Sequence, residues 1–121
     1  MSARILFIDS DHAKIFKLNA DKIDTHAMKK HDAQHQVGGG GKEDEQEKHF
    51  FHDVAKELAG TTELLVVGPG LAKIRFKTHL ETHHHQDLCK AVVGMEAIDH
   101  PTDPQIMAVG KKFFKTYNLF H

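Results

Sequence analysis

The chain has 121 residues, 27% of them charged, with a formal net charge of -1 and a single cysteine. That length holds one hydrophobic core, the balanced charge excludes the global basic field of a dedicated nucleic-acid binder, and one cysteine excludes an internal disulfide. Twelve histidines are the compositional exception, and protonating all of them carries the formal charge from -1 to +11.

Arg4 to Asp9 (Arg-Ile-Leu-Phe-Ile-Asp) is an unbroken apolar run between polar ends, the pattern of a strand covered on both faces. It is too short for a signal peptide or a membrane span, so a cytoplasmic protein with no membrane contact is expected. Ser10 to His12 make a tight polar turn into a half-buried strand, Ala13 to Asn19, which completes a hairpin. Lys22 to Lys30 alternates weakly and suits a polar edge strand. The stretch 31–42 has no periodicity and carries Gly38, Gly39, Gly40 and Gly41 ahead of Lys42, so it reads as a flexible loop. From Glu43 to Ala59 a helix follows, with Phe51, Val54, Ala55 and Leu58 on one face and Gly60 as its stop.

Leu64 to Val67 is a second continuous apolar run and breaks into Gly68-Pro69-Gly70, a glycine turn that opens a helix running from Leu71 to about Gln86. Ala91 to Ile98 reads as a strand weakened by Gly94. The last helix starts either with Asp103 as N-cap and Pro104 at the first position, or with Thr102 and Gln105 as a capping box. Its expected inner face is Ile106, Val109, Gly110, Phe113 and Tyr117.

Placing the two doubly covered strands side by side, with right-handed crossovers, gives a single α/β domain. The expectation is a ribonuclease-H-like three-layer fold whose five-stranded mixed sheet has order 3-2-1-4-5, only strand 2 antiparallel, and three main helices. Asp9, Gly68-Pro69-Gly70 and Asp99-His100 then meet at one carboxyl edge, where strand order reverses and open α/β sheets bind ligands. The backbone N–H groups of Gly68, Gly70 and the helix start around Pro69, with Lys73 one turn on and His100 across the crevice, form a candidate anion or RNA-phosphate site.

Val67-Gly68-Pro69-Gly70 with Lys73 and Phe76 resembles the corresponding stretch in the middle domain of archaeal and eukaryotic class-1 peptide-release factors and of Pelota. The hairpin Ile5 to Leu18, with Asp9 and Ala13-x-Ile-Phe16, also resembles that domain's opening. Glu96-Ala-Ile-Asp-His-Pro-Thr-Asp103 is similar to a segment of small bacterial proteins described as translational machinery components. The resemblance covers nearly the whole chain and implies a ribonuclease-H-like fold and a partner in the ribosome or structured RNA. Release factors carry Gly-Gly-Gln in the loop after the third strand, whereas here the glycines are followed by Lys42, and neither Gln36 nor Gln46 takes the motif's place. The resemblance therefore implies a Pelota-like binding module without peptide hydrolysis, with no catalytic residue and no cofactor.

Two rival chemistries are visible. Asp9, Asp11, Asp99 and Asp103 are candidate ligands for the Mg2+ of a ribonuclease-H-like phosphodiesterase, although Asp is common in turns for capping alone. His79 and His83 stand at i and i+4, with His84, His85 and Cys89 nearby, and His49 and His52 stand at i and i+3. Both spacings can share a metal ion, as in a histidine-rich metal-binding or stress-associated protein. With no His-Glu-x-x-His arrangement, both clusters are expected on a solvated surface and no metal site is assigned. Phe113, Phe114, Tyr117, Leu119 and Phe120 exceed one helix face, so either some of them pack under the sheet or Phe114 and the tail form a homodimer patch.

Overall fold

A computed structural model describes residues 3–18, 23–29, 42–83 and 85–120. In chain order the elements are β1 (Ala3–Ile8), β2 (His12–Leu18), β3 (Ile23–Lys29), α1 (Lys42–Glu57), β4 (Glu63–Gly68), α2 (Ala72–Thr82), α3 (Gln86–Ala91), β5 (Val92–Ala97) and α4 (Asp103–Phe120). The five strands form one mixed sheet in the order β3-β2-β1-β4-β5. β2 runs antiparallel to both its neighbours, and β1 with β4 and β4 with β5 run parallel. This is the expected three-layer α/β arrangement. The Gly38 to Gly41 loop lies outside the described residues.

Side-chain alternation along the central strands divides the core in two. Leu6 and Ile8 of β1, Ala13 and Ile15 of β2, and Leu64 and Val66 of β4 meet Phe50, Phe51, Val54 and Leu58 of α1 and Phe76 and Leu80 of α2. On the other face Ile5, Phe7, Phe16, Leu65 and Val67 meet Ile106, Met107 and Phe114 of α4. A Cβ on Gly110 would overlap Ile5 Cδ1, so this glycine lets α4 sit close to β1. The Arg4 guanidinium reaches the carbonyls of Glu57 and Ala59 at 3.4 and 3.3 Å, placing a cation at the carboxyl end of α1.

Three expectations need correction. The helix from Leu71 to Gln86 is two helices. α2 ends at Thr82, where the His85 N–H donates to the Leu80 carbonyl (3.1 Å), the six-to-one bond of a Schellman-type end, and the His85 carbonyl then accepts the Cys89 N–H (2.8 Å) to start α3. Ala91 accordingly closes α3, and β5 begins one residue later. Of the two starts weighed for α4 the capping box is formed: Thr102 N–H donates to Gln105 Oε1 (2.8 Å) and Gln105 N–H to Thr102 Oγ1 (3.3 Å).

The third correction concerns the proposed dimer patch. Phe114 is only 5% exposed and packs edge-on against Phe113 and Tyr117, with Met107 and Ile106 in the same cluster. It belongs to the core beneath the sheet, because α4 buries a stripe wider than the spacing alone indicated. The side chains of Leu119 and Phe120 lie outside the described residues. Phe114→Ala should therefore cost about 3–5 kcal/mol in urea unfolding. A change of less than about 0.5 kcal/mol is what an exposed position would give, and it would contradict this placement.

Candidate functional site

Parallel pairing brings the carboxyl ends of β1, β4 and β5 to one edge. Gly68 pairs with Ala97 across the β4–β5 ladder, and its carbonyl accepts the Ile98 N–H at 3.3 Å. Its φ is +151°, and a Cβ there would run into the backbone carbonyl oxygen of Ile8. No side chain fits between the end of β4 and the end of β1, so this glycine is required by the sheet itself. Gly70, at φ +63°, has open space where a Cβ would stand and serves the turn alone.

The polar residues of this edge are largely engaged within the fold. Asp9 Oδ1 accepts the backbone N–H groups of Asp11 (2.8 Å) and His12 (2.6 Å), an Asx-type turn that closes the β1–β2 hairpin. Lys73 Nζ donates to the Gly70 carbonyl at 2.6 Å, folding the ammonium back over the glycine turn. Asp103 pairs with Lys14 at 2.8 Å. The side chains of Asp99 and His100 point into solvent, 83% and 90% exposed and 3.4 Å apart, with His100 at φ +47°. Of the four aspartates weighed as Mg2+ ligands, Asp9 and Asp103 hold protein partners and Asp11 and Asp99 are exposed, and among the described residues no three carboxylates converge.

What remains open at this edge is backbone. α2 starts at Leu71 with no side-chain cap and no acidic residue in its first turn, leaving its leading amides and the positive end of the helix dipole facing out. Leu71 and Ile74 flank it at 63% and 52% exposure, the two large exposed apolar side chains among the described residues.

A second constellation lies on the α1–α2 layer, near the opposite edge of the sheet. His79 was expected at the surface and is 7% exposed, on the same inner stripe of α2 as Ala72, Phe76 and Leu80. Its ring stands edge-on to Phe51 at 5.6 Å, lies tilted against His83 at 4.4 Å and stacks on His85 at 5.8 Å. His52 on α1 and His85 at the α2–α3 link join it: one ring nitrogen from each of the three lies within 4.8 Å of the others. Among the described residues this is the one convergent group of three potential metal ligands. Cys89 packs against the α1–α2 core cluster and stays outside it. A cavity of about 310 Å³ between α1 and α2 is bounded by His79, His83, Phe51 and the Glu47–Arg75 ion pair (3.1 Å).

Burial, then the neighbouring His83, His85, His52 and Lys48, hold the His79 pKa down at about 4, from the ordinary 6.5. The inner-stripe position was readable in the sequence, since His79 lies three residues after Phe76. The partners His52 and His85 come from separate elements and carry no spacing signal.

No family model matches the sequence, and no curated protein is significantly similar to it. The fold, however, matches solved structures. Pelota of Archaeoglobus fulgidus superposes with a TM-score of 0.63 at 18% identity, covering 92% of this chain and 31% of that one. Pelota of Thermoplasma acidophilum gives 0.62 at 16% identity, over 89% and 31%. An archaeal translation termination factor gives 0.62 at 18% identity, over 88% and 32%. The chain thus has the fold of one release-factor-like or Pelota-like domain and spans about a third of the length of these proteins.

Two measurements test the geometry. Gly68→Ala should destabilise the protein by about 2–4 kcal/mol, because the strained φ and the backbone clash act together, while Gly70→Ala should cost about 1–2 kcal/mol. A larger loss at Gly70 would contradict the close approach assigned to Gly68. For His79 the folded pKa lies below the unfolded one, so the neutral ring favours the fold. That contribution is complete above about pH 6.5 and is lost as pH falls toward 4. In chelator-treated protein, His79→Phe should remove roughly 1–2 kcal/mol of the stability difference between pH 7 and pH 5.

Proposed function

We propose that this chain is a non-enzymatic binding module of the release-factor middle-domain type, acting on the ribosome or another structured RNA. The observation that carries the reading is the uncapped amino end of α2, which opens beside Gly68-Pro69-Gly70 at the point where strand order reverses. The chain around it has a fold in common with translation factors over about nine-tenths of its length.

In this reading the first-turn amides receive a phosphate. Lys73 holds the turn through Gly70 and keeps two N–H donors for the ligand. His100 and Asp99 stand at the exposed rim, where His100 adds positive charge as pH falls. Leu71 and Ile74 supply apolar surface for a base or a protein side chain. Asp9 acts as the turn residue that sets the distance between β1 and β2, not as a ligand. Two features support binding without hydrolysis: Lys42 in place of a glutamine after the glycines, and aspartates turned to protein partners.

Crosslinking in cells followed by sequencing of bound RNA should enrich ribosomal or other structured RNA, and recovery of none would refute the reading. In vitro, Leu71→Asp places a carboxylate at the N-cap of α2, where it takes up the free amides and repels phosphate. It should weaken RNA binding roughly five- to tenfold with no loss of thermal stability, and binding should also fall with salt. An unchanged affinity would show that the turn is not the site.

A further inference from the structure

We propose that His52, His79 and His85 form a binding site for a divalent transition-metal ion of the zinc class, distinct from the carboxyl-edge turn and independent of the RNA reading. The three come from separate elements, α1, α2 and the link into α3, and tertiary packing alone brings a nitrogen of each within 4.8 Å of the others. Ligands of a tetrahedral ion at 2.0–2.1 Å stand about 3.3 Å apart, so nitrogens within 4.8 Å of one another need to close by at most about 1.5 Å. The exposed His52 and half-buried His85 rings are the ones placed to close in, around a central His79 held by Phe51 and His83.

His79 is the second and stronger observation. Its Nε2 is buried without a hydrogen-bond partner, and a buried polar atom of that kind is costly to the fold and calls for a ligand. The charged groups acting on it, His83, His85, His52 and Lys48, are all cationic when protonated. They favour the neutral imidazole, which is the form that binds metal. An all-imidazole set with no carboxylate or thiolate suits Zn2+, Cu2+ or Ni2+ and not Mg2+ or Ca2+, which take oxygen. Three protein ligands leave one position for water. The His85 backbone is fixed at both sides, through Leu80 and Cys89, which limits what ordering this ligand costs.

The test is calorimetric titration of the purified full chain with zinc sulfate, together with visible absorption of the Co2+-substituted protein. One ion per chain should bind, Co2+ should give the strong bands of a four-coordinate site, and zinc should raise the melting temperature. His52→Ala and His85→Ala should each weaken that step at least tenfold, and His49→Ala, one turn away on the exposed side of α1, should leave it unchanged. Circular dichroism checks folding, and His52→Gln and His85→Gln repeat the test with smaller perturbation. Absence of a stoichiometric step, survival of the step in both variants, or equal loss in His49→Ala would overturn the site, the last by showing that zinc is held diffusely by a histidine-rich surface.

Discussion

The structure depends on the parallel pairing of β1 with β4. Residues 5–8 and 64–67 are apolar without interruption and buried on both faces of the sheet. Each such side chain contributes about 1.5–3 kcal/mol by leaving water, so neither strand can lie at an edge without exposing half of that surface. Once the two are adjacent, right-handed crossovers put α1 and α2 on one face, and α4, which follows the last strand, covers the other. The hairpin strands then fall beyond β1, and β5 falls beyond β4. The pair must also be closely seated at its carboxyl end, and the room for that comes from Gly68, whose missing Cβ admits the Ile8 carbonyl.

The same seating decides what the carboxyl edge can offer chemically. Strand ends this close need their turns held, and Asp9 and Lys73 are committed to that, one to two amides and the other to the Gly70 carbonyl. Carboxylates spent on turns are poorly placed to share a metal ion, and the fold by itself does not decide the chemistry. The groups left without side-chain partners are the amides at the start of α2. In the proposed function these amides are where the anion is received.

Much of this was legible in the sequence because doubly buried strands and helix starts write themselves in short, local patterns. The order of the sheet followed from two apolar runs and the handedness of crossovers, and the capping box was visible in Thr102 and Gln105. The break between α2 and α3 was not legible, because it is made by backbone bonds of His85 to Leu80 and Cys89 with neither glycine nor proline to mark it. Phe114 was misplaced because spacing along one helix does not tell how far the neighbouring sheet wraps round it. The role of His79 was half legible: its place on the stripe of Phe76 and Leu80 indicated burial, but the surrounding run of histidines read as a polar surface. Its partners on α1 and at the α2–α3 link meet it only through the tertiary fold.

Helix α2 is common to both constellations. Its amino end carries the open amides and, seven residues or about 10 Å further along the axis, it carries His79. Between them Phe76 lies edge-on to Phe51 at 5.4 Å, and Arg75 pairs with Glu47, so α2 is fastened to α1 by an apolar contact and an ion pair on neighbouring turns. A cation joining His79 to His52 and His85 would add a third fastening at the far end of the same helix. A helix held at three points presents its first-turn amides in one orientation, which lowers the entropy lost when an anion binds there. Coupling of this kind is reciprocal: whatever metal does for the anion, the anion does for metal to the same extent. The histidines and the glycine turn are thus two ends of one rigid element, and α1 is the body against which both are set.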